Sequence, residues 1–368
     1  MMLFITIEIL LVVAFLLKNK FVQILFLGMS LSYDAWLVAM ADVRHNPDYL
    51  LYQTSYDNQW TNFEVGYTYL ARFFSYFGYN YAEFRTAFSV ATFIIFFVSI
   101  LLISENPSII GAAFNFTLFI IGSIQIRNMA MLAIVLLGYS ITAKLIHSRS
   151  KYLGLLIVFM GTLIHSLGWL FFITLLFFLL LKSKDKQRFS FKIVSGFSFF
   201  LALITFIFSP GWLNSIFSKV LNITRIRSIA NVNIASVYSN GPNHFSLIMF
   251  CLVVFILMVV LSKELHKSID DNPGQEVNPI VFGIILLSMS TFLFQLSVDY
   301  VRLLGNIWVF AVVVLANVGA TKIIDRVGIL FKIILGSVVV FALLMYIYPP
   351  ALSVLGYTIG LYENDLMQ

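Results

Sequence analysis

Charge is what this sequence has least of: Asp, Glu, Lys and Arg make up 11% of its 368 residues, against about a quarter in an ordinary soluble domain. So thin a supply cannot cover a water-facing surface, which excludes a soluble enzyme, a secreted scaffold and a disordered chain. Cysteine is nearly absent. Cys251 stands alone within an apolar run, so neither a disulfide framework nor a thiolate metal site is available. There is no internal repeat, no low-complexity segment and no soluble domain. The N-terminus lacks a basic n-region and a small-residue cleavage site, so its opening apolar run is read as a retained first span. A formal net charge of +6 and a pI near 9.2 would suggest nucleic acid in a soluble protein. In a membrane protein they mark basic loops on the cytoplasmic side, and no nucleic-acid partner is expected.

What is abundant is hydrocarbon. Hydrophobic residues reach 60% and mean hydropathy is +0.95, and successive apolar runs approach the roughly 20 residues that cross a bilayer as a helix. The expected fold is an all-α, polytopic helical bundle occupying residues 1–368 as one membrane domain. Spans are read near 2–17, 21–41, 82–104, 109–126, 128–143, 152–165, 167–181, 192–208, 244–262, 279–297, 302–320 and 329–348. That makes about twelve, with ten to thirteen as the range. Splitting 152–181 at His165–Gly168 avoids a helix of roughly 45 Å, too long for a bilayer without steep tilt. It also keeps every basic cluster on one side, with both termini on the other. The outer side then holds loops at 42–81 and 209–243. Within the first, residues 63–79 are aromatic and apolar but broken by Glu64, Gly66, Arg72 and Gly78, which suits an interfacial or re-entrant helix.

The basic residues sort by type. Of 13 lysines only Lys219 falls outside the cytoplasmic clusters, whereas seven of 10 arginines are outer: Arg44, Arg72, Arg85, Arg127, Arg225, Arg227 and Arg302. The positive-inside rule acts on both types, so this excess needs another cause. Guanidinium is a planar fork that binds phosphate or carboxylate bidentately, and a polyanionic ligand on the outer face would account for it. The competing account is pairing with Asp42, Asp48, Asp57, Glu64, Glu83 and Asp299. Arg127 and Arg302 stand apart because each sits at the turn of a tight apolar hairpin, where a charge is costly. Asp34, two helical turns inside its span, is expected to face the same cavity; Glu8, mid-span, reads as a structural hydrogen-bonding residue. Asp270 and Asp271 fall in a polar cytoplasmic loop and are rejected as a site.

Several short motifs fall in a recognisable order. Asp48 and Tyr52 are followed by Glu64-Val65-Gly66-Tyr67, then Ile126-Arg127-Asn128 with Ala130, then His165-Ser166, and late in the chain Tyr300 beside Arg302. From about residue 30 to 180 the chain thereby resembles the EpsG family of exopolysaccharide-biosynthesis membrane proteins, which is similar to the Wzy-type O-antigen and capsule polymerases of lipopolysaccharide assembly. It departs from the family pattern in lacking the glycine before the first Asp, in Asn128 replacing Gln and in Val65 replacing Pro.

The resemblance implies a glycosyltransferase in the bacterial inner (cytoplasmic) membrane, with its active site facing the periplasm or outside. It would move a glycan from undecaprenyl diphosphate to the sugar hydroxyl of another lipid-linked repeat unit, with no cofactor and with arginines in place of a metal ion. Arg127 and Arg302, then Arg225 and Arg227, are the expected diphosphate ligands. His165, Asp48, Glu64 and Asp299 are the candidates for the catalytic base. Tyr52, Trp60, Tyr67, Asn128 and Tyr300 are the candidates for sugar binding, although Tyr and Trp also form ordinary interfacial belts. The expected partners are lipid-linked repeat units, membrane lipid and a chain-length regulator. A flippase or transporter for the same lipid, or a glycan ligase, are the alternatives.

Overall fold

The structure is a computed structural model that describes residues 2–181 apart from Asp42 and His147, then 244–271, 278–288, 298–317, 323–348 and 350–359, with Phe294 and isolated positions between 186 and 200. Among these residues every regular element is helical. The order is α1 (Met2–Leu17), α2 (Lys20–Ala39), α3 (Pro47–Asp57), α4 (Val65–Tyr76), α5 (Tyr81–Ile103), α6 (Pro107–Thr117), α7 (Phe119–Ile124), α8 (Ile126–Lys144), α9 (Lys151–Thr162), α10 (Gly168–Leu180), α11 (His244–Asp271), α12 (Pro279–Ser288), α13 (Arg302–Ala316), α14 (Ile323–Ile347) and α15 (Pro350–Thr358). A 3-10 turn, Val298–Val301, leads into α13.

Helices α2, α5, α8 and α14 are long and apolar enough to cross a membrane by length and composition. Five shorter apolar helices accompany them: α1, α9, α10, the Phe245–Leu257 part of α11, and α13. The result is a helical membrane protein in which the count of twelve spans is not reached among the described residues. The expected 192–208 span lies largely outside them, and the 209–243 loop lies outside them entirely. One expected span is not a single helix. The run 109–126 breaks at Leu118 into α6 and α7 and turns again at Gln125. Thr117 spends its hydroxyl on the Ala113 carbonyl at 2.6 Å, a back-bond that loosens and bends a helix.

Helix ends follow from local chemistry. Asn80 and Glu83 form a reciprocal capping box that starts α5, with the two bonds at 3.0 and 2.8 Å. Asn46 caps α3 ahead of Pro47 in the first turn. Helix–helix contact follows from small residues, because lipid supplies no hydrophobic drive between helices. Gly138 on α8 faces Gly154 on α9, and a Cβ on Gly138 would stand 2.6 Å from the Gly154 carbonyl oxygen. The two backbones touch because neither carries a side chain there.

The two ends of the bundle differ. At one end Lys20 pairs with Glu105 at 2.5 Å, the Glu105 N–H donates to Asn317 Oδ1 at 3.2 Å, and Arg326 donates to the Phe15 carbonyl that closes α1 at 2.5 Å. The lysine-bearing helix ends collect here. At the opposite end, the site end, α3 and α4 lie across the mouths of α5, α7 and α8 and close on each other. There Arg72 donates to the Gln59 carbonyl at 3.3 Å, and the Tyr56 hydroxyl donates to the Tyr79 carbonyl at 2.7 Å. Helix α4 buries Tyr67, Thr68 and Ala71 while exposing Tyr69, Leu70, Phe73 and Tyr76, an apolar and aromatic face turned away from the bundle. Arg85 is fully buried. It ties this end together by donating to the Val38 carbonyl at 3.0 Å and the Ser123 carbonyl at 2.9 Å, and its guanidinium lies 5.1 Å from the centre of the Tyr49 ring.

Candidate active site

The site end is organised by one docking contact. The first turn of α4 sits on the turn between α9 and α10, where the Leu163 carbonyl accepts from Gly66 N at 2.8 Å and from Tyr67 N at 3.2 Å. A Cβ at position 66 would lie 2.7 Å from that same carbonyl oxygen, so only glycine permits the approach. The motif Glu64-Val65-Gly66 is thereby joined to the motif His165-Ser166. Glu64 completes the joint: one carboxylate oxygen accepts from Ser166 N at 2.7 Å and the other pairs with Arg127 Nη1.

Arg127 stands on the first turn of α8, directly after the α7–α8 turn. Its guanidinium lies over the Phe63 ring at 4.0 Å, with the Tyr52 and Tyr67 rings at 5.3 and 5.4 Å. This aromatic box and Glu64 fix the side chain in place, while its Nε is buried with no hydrogen-bond acceptor. Arg302 starts α13, from the other half of the chain, and its Nη1 lies 3.4 Å from His165 Nε2. Both guanidinium charges act on the His165 ring and on the Tyr52 hydroxyl, which brings Arg127, Arg302 and His165 into one electropositive cluster. Beneath it Asn128 and Asn306 exchange amide bonds at 3.3 and 3.5 Å and lock α8 to α13.

His165 is 7% exposed. Burial, then Arg302 and Arg127, hold its pKa well below the usual imidazole range, so it is neutral at physiological pH. Its Nδ1 accepts from Leu167 N at 3.2 Å. Tyr52 is pushed above the usual phenol range by burial, against the pull of Arg127. Among the described residues no three His, Cys, Asp or Glu side chains group so as to hold a metal ion.

The other expected site residues spread around this cluster. Asp48 lies in the first turn of α3 and acts on Tyr52 through its charge. Tyr52 and Tyr67 are buried in the Arg127 box, whereas Trp60 is 45% exposed on the linker between α3 and α4. Trp60 lines a crevice of about 10 Å³ with Phe63 and Arg72, room for a water molecule and not for a pyranose. Asn128 faces Asn306. Tyr300 is half-buried on the 3-10 turn before Arg302. The side chain of Asp299, and Arg225 and Arg227 altogether, lie outside the described residues. Asp34 does not look toward the cluster. It is fully buried at the end of a hydrogen-bonded chain in which Asn115 donates to Glu8 at 2.5 Å and to Ser30 at 2.8 Å, with Ser30 reaching Asp34 at 3.5 Å.

Three participants carry no motif that marks them in the sequence. Phe63 supplies the nearest ring to Arg127, Asn306 supplies the partner of Asn128, and Gln125, at the turn before α8, has a buried amide oxygen without a donor. Gln125 lies two residues before Arg127 and Asn306 one helical turn beyond Arg302, and that proximity is the only signal they give.

The chain is a many-helix membrane protein with two arginines and a histidine gathered at one end of its bundle. Residues 35–359 match the EpsG family, and the chain belongs to that family, which places it among membrane proteins of polysaccharide-polymerase type. Comparison with curated proteins and with solved structures finds no match in either.

Proposed function

We propose that the site end faces the outside of a bacterial cytoplasmic membrane and that the chain polymerises lipid-linked glycan repeat units of O-antigen or exopolysaccharide type. The hydroxyl oxygen of one undecaprenyl-diphosphate-linked unit bonds to the anomeric carbon of the glycan on a second carrier. The bond from that carbon to the diphosphate oxygen breaks, its electron pair leaves with undecaprenyl diphosphate, and the hydroxyl proton passes to a carboxylate. Asp48 is the carboxylate assigned to receive it, a choice supported by the reach of its charge to Tyr52. Arg127 and Arg302 bind the diphosphate and stabilise the charge that grows on it, the role a metal ion fills elsewhere. Fixed cationic donors aimed at a developing charge are the largest catalytic term in comparable sites.

The observation that carries this reading is the meeting of Arg127 and Arg302, from the two halves of the chain, around one neutral histidine. Glu64 serves as a strut in it, since both its oxygens are engaged. The exposed Trp60 offers an aromatic surface for a sugar face. The test is incubation of purified protein with a defined undecaprenyl-diphosphate repeat unit, read on a gel. A ladder growing by whole repeats is expected. Movement of the lipid between leaflets without growth would mean a transporter, and a single transfer to a different acceptor would mean a ligase; either result sinks the polymerase reading.

A further inference from the structure

We propose that Glu8, Ser30, Asp34 and Asn115 form a proton site inside the membrane, in which Asp34 is held as the neutral carboxylic acid at physiological pH. The site is separate from the arginine cluster and does not depend on the reaction assigned there. Three helices build it: Glu8 comes from α1, Ser30 and Asp34 lie one turn apart on α2, and Asn115 comes from α6. Ser30, Asp34 and Asn115 are buried, and Glu8 is half-buried.

The cluster is short of hydrogen. The Asn115 amide brings two hydrogens and the Ser30 hydroxyl one. The amide donates to Glu8 Oε1 at 2.5 Å and to Ser30 Oγ at 2.8 Å, and Ser30 reaches Asp34 Oδ2 at 3.5 Å. Every donor is then engaged, yet Asp34 Oδ1 and Asn115 Oδ1 remain buried with no donor. A buried acceptor left bare costs its lost hydration, and a proton on Asp34 Oδ1 turns one of the two bare acceptors into a donor.

Charge leads to the same place. The charge of Glu8 reaches Asp34, and among the described residues neither acid has an ion-pair partner. The helices packed around the pair bring no free cation to it. Helices α6 and α7 carry no titratable side chain. On α5, Glu83 is engaged in its capping box and Arg85 in the carbonyls of Val38 and Ser123. Helix α14 faces Glu8 with Ile333, Ile334 and Ser337, and Tyr33 is the titratable neighbour of Asp34 on α2. Two carboxylates within reach of each other, without a cation and inside a membrane, are relieved when one takes a proton. A metal ion fits less well. Asn115 Nδ2 sits between Glu8 and Ser30, a nitrogen donor where a hard cation needs oxygen. The crevice of about 370 Å³ between α1, α6 and α14 is lined by Glu8 but not by Asp34, and a proton is the ligand that needs no room.

Infrared spectroscopy of the full-length protein tests this, because the C=O stretch of a carboxylic acid stands clear of the amide and carboxylate bands. At about pH 7 an ordinary carboxyl, with a pKa of about 4, is ionised, so the band reports only protons that the fold holds. Wild-type protein should show it, shifted downward in D2O. D34N should remove the Asp34 component, and E8Q/D34N should leave none. Absence of the band from the wild-type protein, or a band unchanged in D34N, overturns the proposal. The wild-type measurement needs no variant, so a substitution that fails to fold leaves the test standing. Replacing choline chloride with sodium or calcium chloride should leave the wild-type band in place. Its loss on that exchange would mean that a metal cation takes the proton's position, and would overturn the proposal as well.

Discussion

Glu64 and Arg127 form an ion pair in which neither carboxylate oxygen is idle: one holds the guanidinium and the other the backbone N–H of Ser166. The side chains are 21% and 12% exposed, so the pair is mostly withdrawn from water. Removing one partner from such a pair leaves a charge without compensation, which costs more than the pair contributes when intact. E64A should therefore lower thermal stability more than E64Q, since the glutamine keeps an oxygen for Ser166. The double variant E64A/R127A should be less destabilised than the sum of the single ones, with a coupling of about 1–3 kcal/mol. Thermal unfolding in detergent measures this, and strictly additive effects would dissolve the pair as a structural unit.

Arg127 and Arg302 come from separate halves of the chain and meet at the site end of the bundle. R127A and R302A should each reduce polymer formation by about 10²–10³-fold while the protein stays in the membrane at ordinary levels. R302K should recover part of the loss, because lysine keeps the charge but not the planar fork. A polymer ladder of normal length in both alanine variants would remove the diphosphate assignment.

Much of the bundle is legible in the sequence because apolar runs and their polar breaks are local. Met2–Leu17 and Tyr81–Ile103 emerge within a residue or two of expectation, and the split of 152–181 falls at His165, where the chain turns. A helix is expected near 63–79, interfacial or re-entrant, and α4 is the helix found there. The neighbouring α3 is absent from that reading: its tyrosines give no clear period, and the Asn46-Pro47 start signal is only two residues long. The break at Leu118 depends on what packs against it, since a Cβ on Gly305 of α13 would run into the Leu118 side chain. The site divides the same way. Arg127, Arg302 and His165 stand out as costly polar residues in apolar turns. The Arg127 partners Glu64 and Phe63 are distant from it in sequence, as Asn306 is from Asn128, so pairing them requires the fold. Arg85, also counted among the outer arginines but not at an apolar hairpin turn, serves as an internal strut.

Gly66 joins the two motifs by absence of a side chain. G66A places a methyl group 2.7 Å from the Leu163 carbonyl oxygen, and that partner is backbone, which cannot swing aside. The first turn of α4 must lift, and the Glu64–Ser166 bond lifts with it. The expected result is a protein that still inserts, makes little polymer and is cut faster by protease in the linker between α3 and α4. Unchanged activity and protease resistance would show that the docking contact is dispensable.

His165 also predicts how stability responds to acid. A histidine held neutral by burial in the fold binds a proton more readily when unfolded, so the unfolded chain takes up more protons as pH falls below its ordinary pKa of about 6.5. The stability linked to His165 is therefore full above that pH. It declines as pH falls, at a rate of at most about 1.4 kcal/mol per pH unit, until the lowered pKa of the folded state is reached. H165Q removes this contribution while leaving every carboxylate in place. The drop in Tm from about pH 7.5 to about pH 5 should be smaller in H165Q than in the wild-type protein, although H165Q starts from a lower Tm at the higher pH. Parallel Tm curves for the two proteins would mean that the folded site lets His165 titrate normally, and the neutral imidazole between the arginines would have to be abandoned.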